Sequence, residues 1–106
     1  MYEGKYDESE DHARKAIENT PSKATAHLAL AQALYMLDRY EESVTAAELG
    51  ITLVEDDVSL LPPAKDAVRA NLHYQLSFNY RELGDTVKQA QHEQTADELL
   101  AKGDQE

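Results

Sequence analysis

The sequence predicts an all-helical fold, and three observations lead to this prediction. Apolar side chains recur every three or four residues over five stretches, which places them on one face of a helix in each. Pro21, the pair Pro62-Pro63 and Gly84 fall between these stretches, where a helix would end or begin. A repeat of 34 residues relates two of the stretches, as expected of helical units that pack one upon the next.

The repeat is visible at the start of two predicted helices. Residues 4–9 (GKYDES) align with residues 38–43 (DRYEES) at a shift of 34. The second half of the chain repeats the first at a shift of 46, with the matched pairs Ala24/Ala70, His27/His73, Leu30/Leu76, Leu37/Leu83 and Leu53/Leu99. The difference between the two shifts predicts an insertion of 12 residues between the units.

The first two helices are bounded by a proline and a cap. Ala13, Ala16 and Ile17 lie at helical spacing, so the first helix is expected over residues 6–19, because Pro21 disfavours helix in the residue before it. The second helix is expected to start after Ser22, a residue suited to the N-cap, and to end before residue 38. Its predicted inner face consists of Ala26, Leu30, Ala33, Leu34 and Leu37.

The third helix is expected over residues 40–55, with Gly50 in its interior. A glycine there costs roughly 1 kcal/mol relative to alanine, which indicates a close approach of another helix. The predicted inner face consists of Val44, Ala47, Ile51 and either Leu53 or Val54. The acidic residues after this helix, Asp56 and Asp57, are interpreted as a loop.

The last two helices are separated by a glycine turn. Pro63 suits the first turn of a helix, so a fourth helix of about 20 residues is expected from there to Leu83. Gly84-Asp85 predicts a stop, and a fifth helix follows from Thr86 to about residue 102.

Length and charge restrict the function. A chain of 106 residues is expected to form one domain, and its formal net charge of −11 disfavours nucleic acid and anionic membranes as partners. It has no cysteine, which excludes disulfides and thiolate chemistry. No apolar run reaches the roughly 20 residues of a membrane helix, and the first residues do not resemble a signal peptide, so a cytoplasmic location is expected.

The pattern of residues resembles the tetratricopeptide repeat (TPR) family. Leu30-Ala31 and Leu76-Ser77 match the family's leucine and small pair, Tyr80 matches its tyrosine, and Gly84-Asp85 matches its turn. At the front, Gly4-Lys5-Tyr6, Ala13, Ala16 and Pro21 match the second half of a unit. The sequence departs from the pattern at His27 and His73, where a bulky aromatic is usual.

The resemblance implies a right-handed superhelical stack of about five antiparallel helices, in two and a half repeats. Residues 4–21 would form the second half of a repeat, 22–54 a repeat, 55–62 an insertion or loop, and 63–102 a repeat with an extended first helix. It also implies a protein-binding scaffold that is not an enzyme.

In this family the first helix of each hairpin lines a concave groove. Removing the predicted core positions leaves eight candidate groove residues: Leu28, Gln32, Tyr35, Met36, Asn71, Tyr74, Phe78 and Arg81. A further helix or a second subunit could cover the same apolar strip. The several Lys, Asn and Arg residues with which chaperone-binding members clamp a carboxylate are replaced mainly by Leu28, Gln32, Asn71 and Gln75, which disfavours that ligand.

Neither a metal site nor a catalytic site is predicted. His12, His27, His73 and His92 include no pair at a spacing of three or four, and no His-Glu-x-x-His motif is present. Carboxylates are expected on outer faces, without the shared sheltered pocket that acid–base pairs need. No cofactor is expected, because the four glycines do not form a phosphate-binding loop.

Three functions remain open from the sequence. The first is an adaptor that holds a peptide or a helix of a partner protein in the groove. The second is a structural module that forms a homo-oligomer through the unpaired first helix. The third is the C-terminal recruitment segment of a larger enzyme or regulator.

Overall fold

Five α-helices follow one another in the computed structural model, which describes residues 2–104. They are α1 (Tyr2–Asn19), α2 (Ala24–Met36), α3 (Tyr40–Val54), α4 (Pro62–Glu82) and α5 (Thr86–Asp104). No strand occurs in this range, so the prediction of an all-helical fold is confirmed. The first helix begins four residues earlier than expected, at Tyr2 instead of Tyr6.

The helices pack in a defined order. α2 contacts α1, α3 and α4, while α4 contacts α2, α3 and α5. Within the described range, no Cα atoms of α1, α3 and α5 come within 8 Å of one another. Each odd-numbered helix therefore packs on α2, on α4 or on both.

One hydrophobic core joins the helices. Its largest fully buried side chains are Leu34 of α2, Val54 of α3, and Leu72 and Leu76 of α4. Gly50 confirms the expected close approach: a Cβ atom added there would lie 2.9 Å from Cδ2 of Leu72. Because Leu72 is fully buried, it has little freedom to move away.

The turns after α2 and α4 repeat each other. Asp38 has φ 62° and Gly84 has φ 81°, and the two positions are 46 residues apart. In both turns the next residue donates its N–H to a carbonyl five residues back: Arg39 to Leu34 at 2.9 Å, and Asp85 to Tyr80 at 2.9 Å. The left-handed conformation explains why glycine or aspartate occupies this site.

The predicted cap of α2 is wrong. The N-cap position is Lys23, which makes no side-chain capping bond, and Ser22 is exposed in the preceding turn. The N–H of Ala24 instead donates to Oδ2 of Asp57, at 2.8 Å, across 33 residues of sequence. Asp57 is only 4% exposed, so this loop residue also departs from the expectation that carboxylates lie on outer faces.

A chain of buried hydrogen bonds links three helices. Nδ2 of Asn79 in α4 donates to Oγ of Ser43 in α3 at 2.9 Å. That hydroxyl donates to the carbonyl oxygen of Ala31 in α2 at 2.6 Å. Asn79, Ser43 and Ala31 are all fully buried, so each polar group depends on its neighbour in the chain.

Among the described residues, no helix is long and apolar enough to cross a lipid bilayer.

Candidate protein-binding surface

Three of the predicted groove residues meet where the C-terminal ends of α2 and α4 lie side by side. The ring centroids of Tyr35 and Phe78 are 6.1 Å apart, with the planes tilted by 43°. The guanidinium carbon of Arg81 lies 5.7 Å from the centroid of Phe78, and Nη2 of Arg81 donates to the hydroxyl of Tyr35 at 3.2 Å. We call Tyr35, Met36, Phe78 and Arg81 the aromatic surface.

The aromatic surface leaves apolar area open to solvent. Met36 is 47% exposed and Phe78 is 41% exposed, and Tyr35 is half-buried between its neighbours. The hydrogen bond to Tyr35 raises the pKa of Arg81, so its guanidinium remains charged while it covers one edge of Phe78. Exposed rings that are already held in one arrangement suit a binding surface, because little side-chain entropy is left to lose.

The other four predicted residues are placed differently. Gln32 and Asn71 are exposed on α2 and α4. Leu28 is 9% exposed and packs in the core cluster, so it adds little to the surface. The hydroxyl of Tyr74 donates to Oδ1 of Asp97 in α5, and this bond raises the pKa of the tyrosine.

Sequence reasoning missed one aromatic member of this region. The ring centroid of Tyr40, the first residue of α3, lies 5.6 Å from that of Tyr35. Its hydroxyl donates to Oδ1 of Asp38 at 2.9 Å, and this bond raises the pKa of Tyr40 to about 12. The spacing of five residues between Tyr35 and Tyr40 across a tight turn was the available signal.

The charged groups near the aromatic surface come from elements other than α2. α2 contains no charged side chain from Ala24 to Met36. Arg81 supplies one positive charge, and Glu82 lies beside it with an N–O distance of 3.5 Å. Further acidic groups, Asp38 and Glu41, stand at the turn between α2 and α3.

A second cluster, which the sequence did not predict, joins α4 to α5. The Nδ1 atoms of His73 and His92 are 2.9 Å apart, and the ring of His92 stacks on Tyr80 with centroids 5.6 Å apart and planes 9° apart. Nζ of Lys88 lies over the ring of Tyr80, 5.2 Å from its centroid. Burial, followed by the charge of the neighbouring imidazole, lowers the pKa of His73. Burial also lowers the pKa of His92, with Lys88 acting in the same direction and Glu48 opposing both.

The described residues contain no group of three or more His, Cys, Asp or Glu side chains placed to bind a metal ion. At equivalent repeat positions, Nε2 of His27 lies 2.9 Å from the carbonyl oxygen of Pro21 in the turn before α2, and Nδ1 of His73 pairs with Nδ1 of His92 in α5. Ser43 uses its hydroxyl in the buried chain to Ala31. These contacts give His73, His92 and Ser43 structural roles.

No protein-family model matches this sequence, and comparison with curated proteins and with solved structures gave no significant match.

Proposed function

We propose that this chain is a TPR-like scaffold that binds a helix or an extended peptide of a partner protein on the aromatic surface. The observation that carries the proposal is the exposure of Met36 and Phe78 next to Tyr35 on adjacent helices. Large apolar side chains exposed together commonly mark sites of protein association.

The fold supports a scaffold of this type. Each of α2 and α4 contacts an odd-numbered helix on either side, and the turns that follow them are alike. This is the arrangement expected of stacked helical hairpins, such as those of the right-handed superhelix that the TPR resemblance implies. In that arrangement the aromatic surface would lie on the concave side.

The charge distribution indicates the chemistry of the partner. A formal net charge of −11 favours neutral or basic proteins, and the uncharged face of α2 favours apolar anchors at the centre of the contact. Binding would then depend on burial of rings, with no covalent step. We therefore expect no enzymatic activity, and we expect the protein to act in the cytoplasm.

Affinity capture with the intact chain tests the proposal. We expect a partner that is retained by the intact chain and lost with the double variant Tyr35→Ala plus Phe78→Ala. Loss of two anchor rings should weaken binding by at least about 30-fold, since one such anchor is worth about 2 kcal/mol or more.

A matched control removes apolar area elsewhere. Val87 and Leu100 on α5 are 65% and 42% exposed, so the double variant Val87→Ala plus Leu100→Ala should keep the partner. Equal retention by all three proteins, with unchanged circular dichroism, would contradict the proposal.

Self-association remains the alternative, and α1 bears on it. From Gly4 onward, none of the exposed large apolar side chains lies on α1. A homo-oligomer formed through this helix would therefore rest on polar contacts. Sedimentation over a range of concentrations measures self-association directly. A recruitment role within a longer enzyme or regulator stays a further prediction.

A further inference from the structure

A cleft opens between α1 and α3, on the other side of α2 from the aromatic surface. It has a volume of about 520 Å³, within the roughly 300–1,000 Å³ typical of ligand pockets. Its apolar lining comes from Ile17 of α1, Leu30 and Leu34 of α2, and Ala46 and Leu49 of α3. Leu49 is 47% exposed at the edge of the cleft, so apolar surface is open to an incoming group.

The two units differ at positions that line the cleft. At the shift of 46, Leu34 corresponds to Tyr80 and Ala46 corresponds to His92. In the second unit the ring of His92 stacks on Tyr80 and on His73, between α4 and α5. In the first unit the equivalent side chains are a leucine and an alanine, which leave the space beside His27 without rings.

His27 offers a hydrogen-bond acceptor in this cleft. His27 is only 4% exposed, and its Nε2 atom lies 2.9 Å from the carbonyl oxygen of Pro21. Because a carbonyl oxygen can only accept, Nε2 carries a proton, and Nδ1 is the acceptor whenever the ring holds a single proton. Nδ1 has no partner among the described residues and is not a fully buried atom, so it keeps some exposure, and His27 is one of the residues that line the cleft. The equivalent atom of His73 is paired with His92.

The charges around the cleft favour a basic ligand. Arg14, on its wall, is already paired with Glu10 at 2.9 Å. Glu18 lines the cleft and has no cation within 4 Å among the described residues. The net charge of −11 acts in the same direction.

We propose that this cleft binds a segment of a basic partner protein that inserts an aromatic ring with an N–H donor, the side chain of Trp or His. The ring packs against Leu34 and Ala46, the positions that correspond to Tyr80 and His92 in the second unit. Its N–H donates to Nδ1 of His27, as His73 and His92 pair with each other. Basic residues beside the ring face Glu18.

The peptide acetyl-Lys-Trp-Lys-amide is a suitable probe. The chain has no tryptophan, so the fluorescence of the probe can be excited without a protein background. We expect saturable binding, with a change in the ¹⁵N shift of His27 Nδ1. The analogue with Phe in place of Trp lacks the donor and should compete about fivefold less well, the size of one net hydrogen bond. An analogue with Glu in place of both Lys residues should bind more weakly still.

Two variants and a control locate the site. Ala46→His places a ring inside the cleft and should abolish probe binding, while Leu49→Asn removes an exposed apolar wall without touching the core and should weaken it severalfold. Ala90→His, the same change at an exposed position of α5, should leave binding unchanged.

Several results would overturn the proposal. They are absence of saturable binding, equal affinity for the Trp and Phe probes, and unchanged binding by the Leu49→Asn variant. Loss of probe binding with Tyr35→Ala plus Phe78→Ala, but not with the cleft variants, would assign the probe to the aromatic surface and refute the cleft. The double variant Tyr35→Ala plus Phe78→Ala should still bind the probe in the cleft, even if the aromatic surface binds no partner.

Discussion

Replacing Asp57 by alanine should destabilise the protein more than any other change to an acidic loop residue. The carboxylate accepts three hydrogen bonds: from Ala24 N–H at 2.8 Å, from Ser59 N–H at 3.0 Å and from Ser59 Oγ at 2.5 Å. Ala24 is fully buried, so its N–H would lose its partner inside the protein. An unpaired buried donor costs about 1–3 kcal/mol, and loss of an N-cap costs about 1 kcal/mol. Since these two costs overlap, we expect a loss of about 2–3 kcal/mol.

Urea unfolding followed by circular dichroism measures this loss. A change of this size should lower the melting temperature by about 10 °C or more in a domain of about 100 residues. Asp56→Ala is the matched control, because Asp56 is exposed and adjacent in sequence, and it should change stability by less than about 0.5 kcal/mol. Equal stability of the Asp56 and Asp57 variants would refute the role assigned to the cap.

The pH dependence of stability separates the contribution of the Asp57 charge from that of its hydrogen bonds. Burial acts to raise the pKa of Asp57, but the hydrogen bonds from Ser59 and Ala24 outweigh it, and the pKa is lowered from 3.8. The unfolded chain therefore binds the proton more readily, and the stability that the carboxylate provides is fully present above pH 3.8 and is lost as the pH falls below it. The stability difference between the native chain and Asp57→Asn should shrink over the same acid range.

Two further changes concern α4 and α5. Asn79→Ala removes the donor to Ser43 and leaves a cavity where the side chain was fully buried, so chemical unfolding should show a loss of about 1–3 kcal/mol, whereas no loss would contradict the buried hydrogen-bond chain. The pKa values of His73 and His92 are lowered in the folded protein, so stability should be fully present above pH 6.5 and fall below it. His92→Phe keeps a ring against Tyr80 and removes one titrating group, so urea midpoints between about pH 7.5 and 5.5 should vary less than in the native chain. If the urea midpoint of the variant varied with pH as much as that of the native chain, the histidine pair would not be the source of the pH dependence.

Local sequence signals predicted the helices well. Pro21, Pro62-Pro63 and Gly84 lie at helix boundaries, and the apolar spacing identified the buried positions of α2, including Leu30 and Leu34. Gly50 indicated a close helix contact, and Leu72 provides it. These signals work because turns and amphipathic faces depend on neighbouring residues.

Contacts between distant residues were not predictable in the same way. The cap of α2 comes from Asp57, 33 residues further along, so a local search for a cap found Ser22 instead. His73 and His92 are 19 residues apart and meet only because α5 folds back on α4. The repeat spacing placed Tyr35 and Phe78 on corresponding faces, but the depth of Leu28 depends on how closely the helices pack.

The buried hydrogen bonds from Asn79 to Ser43 and from Ser43 to Ala31 also bear on the shape of the surface above them. Asn79 follows Phe78 in α4, and Ala31 lies about one turn before Tyr35 in α2. A purely apolar contact would allow one helix to slide along another, but sliding by one residue here would break both bonds. The distance between the rings of Tyr35 and Phe78 is therefore fixed from within the core. A surface preorganised in this way loses less entropy on binding, and it selects partners whose anchor side chains already have the matching spacing.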